Sequence, residues 1–227
     1  MDNKTSSELL FEKFCSENEI SYSYIPRATV EGVKTPDYEI VINDRHIIVE
    51  VKQLDPVSPD DKKYQKQLEE RGVTDVHEAK VAQRIRGKIS NAMPQLNKWT
   101  SNETPGLIFL YSNLPLDGRY IKPYYILEGM YGRETIRVVL PNNRATLPYV
   151  TDTQFGGKRK VSPNYNTSLS ALVSIFEDWD QHELHAHFYH NIFSRYKFDP
   201  DWFRRKRVKH FSLPDSAMRQ FSEWIEI

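Results

Sequence analysis

The chain has 227 residues, of which 39% are hydrophobic and 27% are charged, and its formal net charge is zero. This composition excludes a disordered chain and is typical of a soluble globular protein with a substantial core. The one cysteine, Cys15, excludes an intramolecular disulfide and a thiolate metal site within one chain. With no signal-peptide pattern and no apolar run near the ~20 residues of a membrane span, we expect a cytoplasmic protein without a membrane partner.

The first segment predicts a helix over residues 5–18. Thr5-Ser6-Ser7-Glu8 has the pattern of a capping box, in which the first and last side chains each bind the other's backbone N–H. Apolar side chains then repeat at helical spacing at Leu10, Phe11, Phe14 and Cys15. Residues 21–25 alternate serine and tyrosine and predict a short strand.

Residues 35–52 predict a β-hairpin with Asn43-Asp44 as its two-residue turn, because both residues tolerate positive φ. The register then pairs Ile42 with Arg45, Ile40 with Ile47, Tyr38 with Val49, and Asp37 with Glu50. Side chains alternate between the two faces of a strand. One face would therefore be apolar (Tyr38, Ile40, Ile47, Val49, Val51), and the other would carry Asp37, Glu39, Ile48, Glu50 and Lys52.

This register brings two carboxylates together, those of Asp37 and Glu50, with Lys52 two residues further along. Like charges directly opposite each other destabilise a strand pair. At ~4 Å and a surface-like dielectric the repulsion is about 4 kcal/mol. A cation, the Lys52 ammonium or a proton on one acid would offset it. Carboxylate oxygens are ligands that Mg²⁺ prefers, and a bound cation acidifies water and stabilises charge on a phosphate.

Pro36-Asp37, followed on the next strand by Glu50-Val51-Lys52, resembles the motif of the PD-(D/E)xK nuclease superfamily. The resemblance covers roughly residues 5–112. It implies an α/β fold with a restriction endonuclease-like core, an α-β-β-β-α-β mixed sheet flanked by helices. The ordinary alternative is an edge hairpin whose charges are solvated.

The resemblance also implies roles for individual residues. Asp37, Glu50 and the backbone carbonyl of Val51 would bind Mg²⁺ or Mn²⁺, and Lys52 would orient or activate the attacking water. Many members of the superfamily carry a glutamate on the first helix that reaches the metal, a role that would fall to Glu8. The alternative for Glu8 is the helix cap alone.

Two helices follow the hairpin. The charged segment 60–71 predicts an exposed helix ending at Gly72, and residues 77–99 predict a helix that Pro94 kinks or divides. Lys80, Arg84 and Lys88 repeat every four residues on its polar face. In the superfamily this face often meets the nucleic-acid backbone. The resemblance therefore implies phosphate contacts by Arg84 and Lys88 and an active-site polar role for Gln83; a solvated helix face is the alternative.

The apolar run 106–111 predicts a buried central strand. Beyond it, residues 113–227 are expected to elaborate the same domain, so that 1–227 form one domain and the sheet continues. Strands or short helices are predicted at 120–127, 135–140, 169–176 and 184–190, an irregular segment at 142–162 and a helix at 216–227. Two basic clusters, 158–160 and 204–207, are interpreted as solvated charge runs, with phosphate binding as the alternative.

Four of the seven histidines lie within residues 182–190. On a strand, His185 and His187 would point the same way and could bind zinc, although the spacing matches no zinc-hydrolase pattern. The resemblance to the PD-(D/E)xK nucleases implies a metal-dependent nuclease that cuts DNA, with RNA left open as a substrate and a homodimer favoured if both strands of a duplex are cut. The alternatives are a non-catalytic nucleic-acid- or protein-binding module of the same fold and a His-ligated zinc hydrolase.

Overall fold

The structure is a computed structural model that describes residues 4–26, 29, 34–56, 59–72, 80–101, 103–114, 120–143, 147–155, 157–178, 180–214 and 223–227. The helices are α1 (Ser6–Glu17), α2 (Pro59–Arg71), α3 (Val81–Trp99) and α4 (Pro123–Tyr131), with a short 3₁₀ helix at Pro200–Phe203. The strands are β1 (Ser21–Tyr24), β2 (Tyr38–Ile42), β3 (Arg45–Leu54), β4 (Gly106–Ser112), β5 (Glu134–Val139), β6 (Tyr149–Phe155), β7 (Leu169–Glu177), β8 (Leu184–His190), β9 (Val208–Ser212) and β10 (Ile225–Glu226).

Eight of these strands form one mixed sheet in the order β1-β2-β3-β4-β7-β8-β9-β10, and β5 and β6 form a separate two-stranded sheet. β3, β4 and β7 run parallel, so their carboxyl ends meet at one edge of the sheet. β8 runs antiparallel to β7, and its amino end therefore lies at that same edge. The α/β class, with a mixed sheet flanked by helices, is confirmed, and the second half of the chain extends the sheet beyond β4.

The β2–β3 hairpin has the predicted register, with Tyr38 opposite Val49 at the last pair of the ladder. The turn residues Asn43 and Asp44 have φ values of 49° and 60°, as a two-residue turn matching the twist of the strands requires. Asp37 lies just outside the ladder, immediately before β2, so the predicted pair of Asp37 with Glu50 is not part of it. The hairpin therefore forms for the local reasons that its sequence indicates.

The sheet buries two apolar layers, one on each face. The first contains Phe11 and Phe14 of α1 packed on Tyr38, Val49 and Phe109. The second contains the apolar stripe of α3 and residues of α4 packed on the other face of β3, β4 and β7, among them Ile48, Leu54, Ile85, Ile89, Leu110, Ile126 and Leu172. Because Glu50 and Lys52 alternate with the residues facing α1, they share the α3 face with Ile48 and Leu54.

The first half of the chain otherwise follows its sequence closely. The capping box of Thr5 and Glu8 and the fully buried strand β4 are confirmed. Helix α2 is also confirmed, and those of its charged side chains whose burial is described are exposed. Helix α3 runs through Pro94 without a break, so the proline does not begin a second helix. The predicted first turn at 77–79 lies outside the described residues, and Lys80 is the N-cap.

The second half contains two corrections. The segment predicted as irregular contains β6, which pairs with β5, because residues 149–151 are good strand formers that find a partner. The predicted C-terminal helix is wrong for Ile225 and Glu226, which form β10 against β9. Met218 and Phe221, named in that helix prediction, lie outside the described residues. Residues 120–127 contribute to a helix, α4, and the other three ambiguous segments are strands.

Within the described ranges, no helix has both the length and the apolar character needed to cross a bilayer.

Candidate functional site

Glu50 is a fully buried carboxylate in the middle of the sheet. It lies on β3 between β2 and β4 and faces α3. Its Oε1 accepts hydrogen bonds from the ammonium of Lys52 and, at 2.6 Å, from Nε2 of Gln95 on α3. Its Oε2 is buried and has no hydrogen-bond partner among the described residues. A buried polar oxygen is ordinarily paired, so Oε2 lacks the partner that such an atom usually has.

The charge state of Glu50 follows from this environment. Burial, together with the nearby charge of Asp37, raises its pKa to about 7, and Lys52 lowers it only in part. Near neutral pH the carboxyl group can therefore be either protonated and neutral or ionised, and the ionised form could bind a cation. Strongly perturbed acids beside a second charge are typical of functional sites.

Asp37 is fixed beside the middle of β3. Its Oδ2 accepts a hydrogen bond from the backbone N–H of Val51 at 2.8 Å, and its carbonyl accepts one from Ile25 at 3.0 Å. In an antiparallel pair the N–H and C=O of one residue point towards the same neighbouring strand. The carbonyl of Val51 therefore also points to the side on which Asp37 lies, past the last pair of the ladder.

These groups fit a hard divalent cation in their chemistry. Asp37 and Glu50 supply carboxylates, Val51 supplies a carbonyl, and the unpaired Oε2 of Glu50 supplies an acceptor without a donor. No cluster of three or more His, Cys, Asp and Glu side chains that could hold a metal occurs in the described parts of the chain. A cation bound here would thus rely on two carboxylates plus backbone and water oxygens, a set that Mg²⁺ commonly accepts.

Glu8 lies at the amino end of α1. Its Oε2 accepts hydrogen bonds from the backbone N–H of Thr5 at 2.6 Å and from the Thr5 hydroxyl at 2.7 Å. The cap role is therefore observed, and the metal role of Glu8 stays a prediction. One turn later Glu12 accepts a hydrogen bond from the buried Tyr38 hydroxyl at 2.8 Å and pairs with Lys4 at 2.7 Å.

The polar face of α3 lies along the carboxyl end of β3. Arg84 donates to the carbonyl of Asp55 at 3.2 Å. Burial lowers the pKa of Lys88, as does the charge of Lys52, whereas Asp55 raises it, so Lys88 lies among these groups. Gln95 continues the same face and reaches Glu50. The structure thus brings Arg84 and Lys88 to the end of the strand that carries Lys52.

Two other polar residues of α3 lie elsewhere. Gln83 is exposed, one position around the helix from Arg84. Arg86 is buried and pairs with Glu128 of α4 at 3.1 Å, so it joins two helices. Sequence reasoning missed Gln95, although it follows Lys88 by seven residues and so continues the same helical face.

The histidine segment forms β8, and His185 and His187 share the face of the sheet that carries Glu50. His185 stacks on Phe176 with ring centroids 5.4 Å apart, and His187 packs edge-on against the same ring at 5.0 Å. Burial lowers the pKa of His187 to about 4. In the second basic cluster, Arg204 pairs with Asp201 at 2.6 Å and Arg207 pairs with Glu183.

Comparison with protein-family models, with curated proteins and with solved structures found no match to this chain. The interpretation of the site therefore depends on the chain's own residues and their geometry.

Proposed function

We propose that this chain is a metal-dependent nuclease of the PD-(D/E)xK type that hydrolyses phosphodiester bonds in DNA. The observation that carries the proposal is Glu50: a fully buried carboxylate with a pKa near 7 and one unpaired oxygen, beside Asp37 and in contact with Lys52. A carboxylate in the centre of a sheet is costly to bury. Cation binding gives a physical reason for keeping it there.

The order of elements supports a restriction endonuclease-like core made of α1, β1, β2, β3, α3 and β4. In this arrangement the hairpin carries Asp37 and Glu50, and α3, which connects β3 to β4, covers the site from one face. The strands from β7 onward would elaborate the same domain. DNA is the proposed partner, and RNA is the alternative substrate. A homodimer would suit cleavage of both strands of a duplex. The proposed location is the cytoplasm.

The residues of the proposed site would bind the metal, position the water and contact the phosphate backbone. Asp37, Glu50 and the carbonyl of Val51 would hold Mg²⁺ or Mn²⁺, which when bound would acidify water and stabilise charge on the phosphate. Lys52 donates a hydrogen bond to Oε1 of Glu50 and would position the attacking water. Arg84 and Lys88 supply positive charge for the phosphate backbone without reading sequence.

The test is cleavage of supercoiled plasmid, linear duplex, single-stranded DNA and single-stranded RNA, each with Mg²⁺, Mn²⁺ or EDTA. Asp37→Asn, Glu50→Gln and Lys52→Met should each abolish cleavage without unfolding the protein. Glu39→Gln is the matched control, because Glu39 lies on the same hairpin but is half-exposed and pairs with His46 at 2.9 Å. Activity retained by all three variants would overturn the site.

A non-catalytic binding module is the second candidate, favoured by the small number of side-chain metal ligands among the described residues. Thermal denaturation separates the two functions. A ligand present at 100 times its Kd stabilises the native state by about 2.7 kcal/mol, so Mg²⁺ or Mn²⁺ should raise the Tm of the wild type but not of Asp37→Asn. A binding module without a metal site would show the same Tm with metal and with EDTA.

A further inference from the structure

β5 and β6 form a two-stranded sheet of their own, separate from the eight-stranded sheet. We refer to residues 133–157, which contain both strands, as the arm. Several large apolar side chains of the arm are at least half exposed: Ile136, Val138, Leu140, Leu147, Tyr149 and Val150. A two-stranded hairpin alone is only marginally stable in water, and clustered exposed apolar residues mark interaction sites. The arm therefore has the character of a surface that a partner completes.

Apolar residues lie both on a face and at the tip of the arm. Val138 is opposite Val150, and Ile136 shares their face because side chains alternate along β5. Leu140 and Leu147, which are 74% and 82% exposed, lie just beyond the ends of the two strands. β5 is 6 residues long, so the paired part of the arm extends for about 20 Å. The arm is thus a ribbon, two strands wide, with accessible apolar surface along its length.

The arm and the residues that follow it are strongly basic. Residues 133–160 contain six basic and two acidic residues, a formal charge of +4 in a chain whose total is zero. Arg133, Arg137, Lys158 and Arg159 are all exposed. Two arms that carry this charge would repel each other, whereas the phosphates of a nucleic acid would be attracted. The charge therefore favours a nucleic acid over a second copy of the chain as the partner.

The basic cluster 158–160 lies where the arm joins α4, a position that we call its root. The backbone N–H of Arg133 donates to the carbonyl of Gly157 at 3.2 Å, and that of Lys160 donates to the carbonyl of Met130 at 2.7 Å. These two hydrogen bonds close the root. They hold the cluster beside the first residue of the arm, so positive charge is concentrated at one end of the ribbon.

The root is next to the first turns of α3. A Cβ atom at Gly129, near the end of α4, would lie 2.6 Å from Cγ2 of Ile85, so glycine is needed for this close approach. Glu128 of α4 pairs with Arg133 of the arm at 3.5 Å. Arg84, on the same turn as Ile85, lies at the end of β3. Because a helix is ~10 Å across, the root lies roughly that far from the face of α3 proposed to contact phosphates.

The form of the arm distinguishes between kinds of nucleic acid. The major groove of B-form DNA is ~12 Å wide and admits a two-stranded β-ribbon, and apolar side chains there contact thymine methyl groups. The major groove of duplex RNA is deep and narrow, and side chains do not read it. A single strand has no groove. An apolar ribbon with a basic root thus matches duplex DNA.

We infer, building on the proposed nuclease function, that the arm binds duplex DNA. Ile136, Val138 and Val150 lie in the major groove, and the basic residues of the root contact the phosphates beside it. The arm thereby extends the proposed phosphate-binding surface of α3 and makes duplex DNA, rather than RNA, the substrate class.

The test measures binding in EDTA, so that neither metal nor cleavage enters. Fluorescence anisotropy compares a duplex DNA, the duplex RNA of the same sequence and one of the DNA strands alone. The wild type should bind the duplex DNA about tenfold more tightly than either of the others, because the ribbon has a groove to enter only there.

A triple variant, Ile136→Thr/Val138→Thr/Val150→Thr, tests the apolar face. Threonine keeps the branched shape that favours a strand but replaces an apolar group by a hydroxyl. The variant should lose most of the preference for duplex DNA, while its midpoint of urea denaturation stays at the wild-type value. Ile225→Thr is the matched control, because Ile225 is 51% exposed on β10 of the other sheet.

A charge variant tests the root separately. Lys158→Gln/Arg159→Gln should weaken binding to duplex DNA and make the plot of log affinity against log salt shallower by about 2, because each lost phosphate contact removes about 0.9 from the slope. Arg205→Gln/Lys206→Gln makes the same change of charge at exposed residues of the basic cluster 204–207 and should leave the slope unchanged.

Unchanged affinity for duplex DNA in the triple variant would overturn this inference, as would equal affinity of the wild type for duplex DNA and duplex RNA. Absence of binding to every nucleic acid would also overturn it. Size-exclusion chromatography with light scattering tests the other partner: a wild-type dimer that becomes a monomer in the triple variant would assign the arm to a second copy of the chain.

The proposed nuclease function fails separately, through loss of metal-dependent stabilisation and cleavage at Asp37 and Glu50. Binding of duplex DNA through the arm without metal-dependent cleavage would support the arm and reject the nuclease.

Discussion

Gln95 donates a hydrogen bond from Nε2 to Oε1 of Glu50 at 2.6 Å. A second contact joins Arg84 of the same helix, α3, to the carbonyl of Asp55, the residue that follows the end of β3. The two contacts are eleven residues apart on α3 and five apart along β3. These separations correspond to about 16 Å on a helix and about 17 Å on a strand. Helix and strand therefore run antiparallel and in step, which carries the polar face of α3 along the proposed site.

Replacing Gln95 tests whether it positions Glu50. In Gln95→Leu, Glu50 keeps the contact with Lys52 but loses its other donor, so the carboxylate is less well oriented and its pKa rises further. Residues that orient a metal ligand typically contribute 10–100-fold in metal affinity. We expect Mn²⁺ affinity, measured by titration calorimetry, to fall within that range. Asn97→Ala, at an exposed position of the same helix, should leave the affinity unchanged.

The pH dependence of stability tests the buried state of Glu50. Its pKa is about 7 in the folded protein against an ordinary value of 4.5, so between these values the folded state keeps a proton that the unfolded state releases. The contribution of Glu50 to the free energy of unfolding is fully present below about pH 4.5. It decreases by about 3 kcal/mol in total as the pH rises through 7. In metal-free urea denaturation, the free energy of unfolding should fall from acidic to alkaline pH in the wild type. In Glu50→Gln this fall should be smaller by about 3 kcal/mol. Parallel profiles would show that Glu50 is not protonated in the fold.

The hairpin could be predicted because its information is local. Asn43 and Asp44 accept the positive φ of the turn, and alternation then assigns every side chain to a face. The turn and the alternation alone are enough to predict that Asp37 and Glu50 lie near each other. What the sequence did not show is that Asp37 would hold the N–H of Val51 through its side chain, since this depends on where the ladder ends.

The features that were missed depend on distant partners. Gln95 is an ordinary polar residue until α3 is placed across β3. β10 consists of two residues that are strand only because β9 lies beside them. The residue pattern of 149–155 resembles a loop with scattered strand formers, and pairing with β5 decides its structure. Short-range patterns do not report these contacts, because strand pairing stabilises segments whose own preference is weak.

Salt dependence tests the positive face of α3. If Arg84 and Lys88 contact phosphates, the double variant Arg84→Ala/Lys88→Ala should bind nucleic acid more weakly at every sequence. Its plot of log affinity against log salt should be shallower by about 1 to 2, because each lost phosphate contact removes about 0.7–0.9 from the slope. Lys13→Ala removes a charge from α1, on the opposite face of the sheet, and should leave the slope unchanged. A slope in the double variant equal to that of the wild type would assign both residues to a solvated surface.

Glu8 can be tested by a substitution that separates its two roles. Glutamine also closes a capping box, so Glu8→Gln should keep the hydrogen bond to the N–H of Thr5 and the stability of α1. Thr5→Ala, which removes the cap itself, should cost about 1 kcal/mol. If Glu8 also contributes to the metal site, Glu8→Gln should weaken Mn²⁺ binding while the midpoint of metal-free urea denaturation stays at the wild-type value. Unchanged Mn²⁺ affinity in Glu8→Gln would limit this residue to its cap and remove it from the proposed ligands, which would then be Asp37, Glu50 and the carbonyl of Val51.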